Sequence, residues 1–212
     1  MALSILPAAQ VEGYTRGRVN SGVGGCAYSV EFEMDKIESP AWFDEIRYTV
    51  LLHFPEVRDQ IANCAAQTKS RMTGEQFLGL CDTAFIPVAG VSVKKLATIV
   101  QPIYANLGVR TGKKRTELLP LPGGRIIVGV LCSLARGGQN LRKVEQAEDG
   151  CLLEAAIPSD IWSFEGDLFI TVKHHPPGTL VEAAAVIKGQ LFDWGKSKRC
   201  LEQLFSDLRN LS

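Results

Sequence analysis

The chain has 212 residues, of which 46% are hydrophobic and 22% charged, a balance typical of a globular protein that buries a sizeable core. Basic and acidic residues number 23 each, so long-range attraction to nucleic acid or to an anionic membrane is not expected. The longest apolar run, 126–135, is about half of the roughly 20 residues that a membrane-spanning helix needs. We therefore expect no transmembrane segment and no nucleic acid partner.

Strands are predicted at three places in the first hundred residues. Two of them, 11–20 and 25–34, flank a glycine-rich stretch, and the second alternates apolar and polar residues as a half-buried strand does. A phosphate-binding loop would lead into a helix rather than a strand, so we interpret the glycine-rich stretch as a hairpin loop. The segment 45–54 is rich in β-branched and aromatic residues and is the third predicted strand.

Three helices are predicted in the same region. Pro55 can occupy the first turn of a helix over 55–70, whose apolar residues recur at helical spacing. A short helix over 73–82 has Thr73 as its cap. A longer helix is predicted over 92–108, where a glycine can end it.

The segment 109–124 concentrates glycine, proline and positive charge, which is typical of a linker. We therefore predict an N-terminal strand-and-helix region over 1–108 and a second unit over 125–212. The basic cluster within the linker is the predicted partner-binding site, which consists of Lys113, Lys114 and Arg115.

The C-terminal half has a clearer pattern. A helix over 125–138 is followed by four predicted antiparallel strands, the first pair joined at Asp149-Gly150, which is a strong hairpin signal. The last helix follows Asp193, its predicted N-cap, and carries an apolar stripe. The predicted fold class is α+β: an antiparallel sheet with a long C-terminal helix packed on it, preceded by an N-terminal α/β region. The predicted strands are 140–150, 151–158, 167–175 and 179–189, and the helical stripe is Cys200, Leu201, Leu204, Phe205 and Leu208.

Two stretches of this half resemble a known family. Residues 160–172 carry an aromatic-x-aromatic-x-x-Asp strand, and 183–199 carry a small-residue strand, a glycine and an Asp-x-Gly corner that opens the last helix. They are similar to an uncharacterised bacterial and plastid family, the domain of unknown function numbered fourteen ninety-nine, which implies no assigned activity. The strand order also looks similar to helix-grip lipid-binding domains, which implies an apolar cavity beneath the last helix.

Five aromatic residues are the predicted ligand-binding site, at the mouth of an apolar pocket. Two of them share a strand face and two lie at the corner that enters the last helix. Packing in the core is the alternative interpretation for all of them. They are Trp162, Phe164, Phe169, Phe192 and Trp194.

The six cysteines and three histidines do not form a recognisable reactive motif. The cysteines lack zinc-ligand spacing and mostly stand in apolar surroundings, so we interpret them as small buried hydrophobes in a reducing compartment, the cytoplasm or a plastid. Neighbouring strand residues point to opposite faces, so His174 and His175 fit an exposed turn better than a metal site. His53 fits the start of a helix.

The expected function is therefore a non-catalytic binding or accessory protein, an assembly subunit or scaffold whose partners are other protein subunits, and we expect no metal or cofactor. One alternative is a carrier of a small apolar ligand in a cavity under the C-terminal helix. The other is an unrecognised hydrolase-type enzyme that uses His53 or a cysteine, which requires a partly exposed thiol with a perturbed pKa.

Overall fold

Contacts divide the chain into two units, Met1–Ile37 and Glu38–Ser212, and every residue described here belongs to the second. The structure is a computed structural model. The predicted strands 11–20 and 25–34 and the predicted helix 92–108 lie outside the described residues. Those residues are 39–67, 72–87, 113–159, 164–187 and 195–211.

Three helices open the described part: α1 over Tyr48–Leu51, α2 over Pro55–Ala66 and α3 over Gly74–Thr83. The predictions of α2 and α3 are confirmed, and Thr73 caps α3 in a reciprocal capping box with Gln76. Each of the two helices lays a buried apolar stripe against its neighbours.

The prediction of a strand over 45–54 is wrong, because α1 occupies its centre. Tyr48 and Leu51 are three residues apart and both are fully buried, which is the spacing of one helical face rather than of a strand. The Leu52 amide closes the turn by donating to the Tyr48 carbonyl at 3.2 Å. The β-branched and aromatic residues of this segment favour a strand, but the spacing of its buried residues is that of a helix, and the helix forms.

The described strands form one six-stranded sheet in the order β1-β3-β4-β5-β6-β2. Strands β3 to β6 are an antiparallel meander, which confirms the four predicted strands. At the sheet edges, β1 pairs parallel with β3, and β2 pairs antiparallel with β6. The strands are β1 Phe85–Pro87, β2 Lys113–Leu119, β3 Asn140–Ala147, β4 Gly150–Ile157, β5 Gly166–His175 and β6 Gly178–Ile187.

Two long helices pack on one face of this sheet: α4 over Gly123–Arg136 and α5 over Lys196–Arg209. Helix α4 lies between the sheet and α2, while α5 crosses β2 and β6. The predicted apolar stripe of the last helix is confirmed, although its N-cap is Gly195, in the left-handed region at φ 79°, and not Asp193. The fold is α+β, with N-terminal helices before a mostly antiparallel sheet and a C-terminal helix packed on it.

The linker prediction over 109–124 is corrected for the residues that the structure describes. Lys113–Leu119 form β2, and the two glycines that follow open helix α4. A Cβ on Gly124 would come within 2.6 Å of the Glu45 carbonyl oxygen and nearer still to that of Trp42. The glycines that suggest a flexible linker in the sequence therefore serve close packing between the start of α4 and the turn that precedes α1.

We expect Gly124→Ala to lower the free energy of unfolding by about 1–3 kcal/mol, because the added methyl group meets rigid backbone oxygens. The matched control is Gly79→Ala in α3, where a Cβ would meet nothing within 4 Å. That change should raise stability by about 1 kcal/mol, since alanine favours an exposed helix interior. Urea unfolding of both variants measures the difference, and equal stabilities would contradict the close approach.

Candidate functional site

The sheet face turned away from α4 and α5 carries a mixture of charged and apolar side chains. Because side chains alternate along each strand, buried residues such as Leu153 and Ile170 point to the helices and their neighbours point the other way. We call the latter surface the outer face. It is defined by Lys114, Leu118, Lys143, Glu145, Leu152, Glu154, Phe169, Leu180 and Glu182.

Phe169 is half-buried near the middle of the outer face, opposite Glu154 on β4 and Ala184 on β6. A shallow recess of about 20 Å³ adjoins it. Phe169 is flanked along β5 by Leu168 and Ile170, which are fully buried toward the helices, so its own side chain lies on the other side of the sheet. Phe169 thus lies on the face opposite the last helix, and its part in ligand binding stays a prediction. The recess is lined by Lys143, Glu145, Leu152, Glu154 and Phe169.

Of the other four predicted pocket residues, only Phe164 is described. Its side chain is 61% exposed, so it is not part of the core. The ammonium of Lys196, at the start of α5, donates to the backbone carbonyls of Pro158 at 2.6 Å and Phe164 at 3.3 Å. The placement of the remaining three, Trp162, Phe192 and Trp194, lies outside the described residues.

The predicted basic cluster does not form a single patch, because successive residues of β2 point to opposite faces. Lys114 lies on the outer face and pairs with Glu182 at 2.9 Å. Arg115 lies on the helix side, 5.0 Å above the ring of Phe205, and its Nε donates to Glu117 at 2.6 Å. Lys113 is exposed. Arg115 and Lys114 are thus both paired within the fold, whereas Lys113, on the same side of β2 as Arg115, presents its charge at the sheet edge.

A partly buried ion pair lies at the start of β5. The Asp167 carboxylate, which belongs to the motif of the family resemblance, is 4% exposed and accepts a hydrogen bond from Arg142 Nη1 at 2.6 Å. The same guanidinium also contacts Glu165, which is largely exposed. This arrangement joins β3 to β5 next to the irregularity in β3 between Leu141 and Lys143. Asp167, the aspartate of the motif, therefore has a structural role in linking these two strands.

The histidines lie where turns and helix ends place them. His174 and His175 end β5 and are exposed, in agreement with the predicted turn. His53 is also exposed, and its Nδ1 lies 2.6 Å from the Thr49 carbonyl. Within the described residues there is no group of three potential ligands that could hold a metal ion.

The sequence contains no signal for the pair of thiols that lies between α2 and α4. Cys64 on α2 is partly exposed and Cys132 on α4 is buried, and Cys132 Sγ donates to the Gln60 carbonyl, one turn before Cys64, at 3.8 Å. Chiefly because of its interaction with the Cys132 thiol, the pKa of Cys64 is lowered to about 7, against the opposing effect of burial. Conversely, the same interaction between the thiols, together with burial, raises the pKa of Cys132 well above its usual range, so Cys132 keeps its proton.

A polar network next to the thiols contributes to this electrostatic environment. Asp207 on α5 is 8% exposed and accepts hydrogen bonds from Ser133 Oγ at 2.7 Å and Gln203 Nε2 at 2.8 Å. The Arg136 guanidinium lies 3.8 Å from the same carboxylate. The positive charge of Arg136 lowers the pKa of Cys64, and the negative charge of Asp207 raises it.

The remaining described cysteines have less reactive environments. Burial raises the pKa of Cys81 and of Cys151 to about 12 in each case. Burial also raises the pKa of Cys200, although the hydrogen bond from Gln139 Nε2 at 3.0 Å opposes it. Helical periodicity in the sequence predicts the helices that carry Cys64 and Cys132, but it contains no signal for which helices meet.

Comparisons with protein-family models, with characterised proteins and with solved structures give no match to this chain. The resemblance to family fourteen ninety-nine therefore stays a prediction. Among the described helices, none is long and apolar enough to cross a membrane.

Asp167→Asn should destabilise the protein by about 1.5–3 kcal/mol, because it removes a charge-assisted hydrogen bond from Arg142 to a buried carboxylate. Glu165→Gln removes the exposed carboxylate of the same cluster and should cost about 1 kcal/mol or less. Comparing the two variants in urea unfolding isolates the effect of burial. A cost for Glu165→Gln as large as that for Asp167→Asn would refute the assignment of Asp167 as the structural partner.

Proposed function

We propose that this protein is a non-catalytic binding or accessory protein, a subunit of a protein assembly, that contacts its partner through β2 and the adjoining outer face. The observation that carries the proposal is the character of β2. In the described sheet it is an edge strand, with two exposed lysines at one end and an exposed leucine at the other.

The apolar part of this surface lies near the C-terminal end of β2. Leu118 is 47% exposed and stands opposite Leu180 of β6, which is half-buried. A neighbouring pair of leucines at the rim of a sheet offers apolar area that a partner chain can cover. The backbone of an edge strand can additionally hydrogen bond to a strand of the partner.

The charged part of the surface selects which partner can approach. Lys113 and Lys114 near the start of β2 disfavour pairing with the same strand of a second copy placed alongside in parallel register, because like charges would then adjoin. They favour an acidic segment instead. The class of partner that fits this edge is therefore another protein with an extended acidic and apolar segment.

The carrier alternative is less well supported by the packing under the last helix. Leu201, Leu204, Phe205 and Leu208 are all buried there and belong to the main hydrophobic core. Large side chains that fill the space between helix and sheet leave less room for a ligand. The hydrolase alternative draws no support from His53, whose ring nitrogen Nδ1 is bound to a backbone carbonyl, although Cys64 meets its requirement of a partly exposed thiol with a perturbed pKa.

A photoreactive amino acid in place of Leu118 tests the docking surface in the cells that make the protein. We expect it to cross-link to one or a few defined chains, and Lys113→Glu should reduce this yield because it reverses the charge at the edge. Placing the photoreactive residue instead at Glu75, which is exposed on α3, should give no such product. Denaturing gels and mass spectrometry identify the products.

The matched control for the charge change is Lys198→Glu on α5, a similarly exposed lysine whose side chain is 71% exposed. It should leave the cross-link from position 118 unchanged. Equal cross-linking from positions 75 and 118, or equal effects of the two charge reversals, would argue against β2 as the docking edge.

Native mass spectrometry of the protein isolated gently from its own cells separates the proposal from the carrier alternative. Under the proposal, the native particle contains additional protein chains and no small molecule. A ligand of a few hundred daltons that is lost on denaturation would instead favour the carrier.

A further inference from the structure

The two thiols between α2 and α4 differ in their exposure to solvent, and neither belongs to the proposed docking surface. Cys64 is partly exposed at the rim of the helix interface, whereas Cys132 is 1% exposed beneath it. The Sγ atom of Cys132 also lies 3.8 Å from the Gln60 carbonyl oxygen, one turn before Cys64 on α2. One thiol is thus accessible from solvent and the other is not.

This arrangement matches the requirements of a two-step thiol–disulfide exchange. The first step needs an accessible thiolate, and the second needs a neighbouring thiol that can reach the first sulfur. A solvent-exposed pair would react without order, and a fully buried pair would not meet the reagent. Here the contact of Cys132 Sγ with the Gln60 carbonyl, one turn before Cys64 on α2, holds the second thiol against the helix that carries the first.

We infer that Cys64 and Cys132 form a reactive dithiol site that is modified by low-molecular-weight disulfides of the glutathione type. The Cys64 thiolate attacks one sulfur of the disulfide, a mixed disulfide forms on Cys64, and one thiolate leaves and takes up a proton. Cys132 then loses its proton and attacks Cys64 Sγ, which expels the second thiolate. The net reaction oxidises two protein thiols to one disulfide and reduces the small disulfide to two thiols.

The electrostatic surroundings support the assignment of Cys64 as the attacking residue. Its pKa of about 7 provides a substantial thiolate fraction at neutral pH. The pKa values of Cys81, Cys151 and Cys200 are all raised, mainly by burial. Among the described thiols, Cys64 is therefore the one that is both partly exposed and lowered in pKa.

Incubation of the reduced native protein with oxidised glutathione tests the site. We expect an intramolecular disulfide, seen as the loss of two hydrogens in the intact mass and as a linked Cys64–Cys132 peptide after digestion. Cys132→Ser should stop the reaction at a stable glutathione adduct on Cys64. Cys64→Ser should prevent both products, and Cys200→Ser should react like the original protein.

Three results would overturn the inference: a disulfide that links other cysteines, no glutathione adduct on Cys64 in the Cys132→Ser variant, or a rate at Cys64 no faster than at Cys200. Cys132 is buried, so the fold of its variant is checked by circular dichroism, and Cys132→Ala serves as a second variant. The original protein alone also decides the question, because the linked peptide either forms or does not.

The pH dependence of alkylation provides a separate test that requires no disulfide. The rate at Cys64 with iodoacetamide should rise to a plateau with a midpoint near pH 7, since only the thiolate reacts. The charged groups that act on it are Arg136 on α4 and Asp207 on α5. Arg136→Gln should move the midpoint upward, and Arg136→Lys should largely preserve it. A midpoint near that of a free cysteine in the original protein would count against the site.

Discussion

The burial of α4 is the constraint on which the rest of the described fold depends. Twelve of its 14 residues are buried, because the sheet covers one side, α2 another and α5 a third. A helix in such a place must be apolar on nearly all sides and small where backbones approach closely. This accounts for the run of aliphatic residues between the glycines at its start and Arg136 at its end. It also means that the few polar side chains of α4, such as Ser133, have their partners inside the protein.

The attachment of the N-terminal helices to the sheet relies on one polar side chain as well as on apolar packing. Gln146 of β3 accepts a hydrogen bond from the Tyr48 amide at 2.8 Å, and its Nε2 donates to the Ile46 carbonyl at 3.1 Å and the Gly150 carbonyl at 2.8 Å. The buried Tyr48 hydroxyl in turn donates to the Cys81 carbonyl at 2.9 Å. These bonds satisfy backbone groups at the ends of α1 and α3 that burial would otherwise leave unpaired.

Local signals in the sequence predicted the elements they directly encode. The Asp149-Gly150 hairpin, the Thr73 cap and the apolar stripe of α5 are each specified by residues close together in the chain. What failed depended on distant contacts. Gly124, at the start of α4, is explained by the nearby carbonyls of Trp42 and Glu45. Helix α1 is explained by the burial of Tyr48 and Leu51 on one helical face. The candidate sites follow the same rule. The alternation in β5 is visible in the sequence, but which face meets the helices is decided by the whole sheet, so the sequence alone does not place Phe169 on the outer face.

The redox state of the thiol pair and the burial of Asp207 are connected through one guanidinium. Arg136 approaches the Asp207 carboxylate at 3.8 Å and also favours the thiolate of Cys64. When Cys64 is ionised, the positive charge of Arg136 acts on two anions, and Ser133 and Gln203 supply the hydrogen bonds that keep Asp207 satisfied. Conversion of the thiol pair to a disulfide would remove the Cys64 thiolate, and Arg136 would then face the Asp207 carboxylate alone. Because Asp207 has two neutral hydrogen-bond donors of its own, Arg136 can also stabilise the Cys64 thiolate. The buried Asp207 carboxylate then keeps its hydrogen-bond partners whether the thiols are reduced or oxidised.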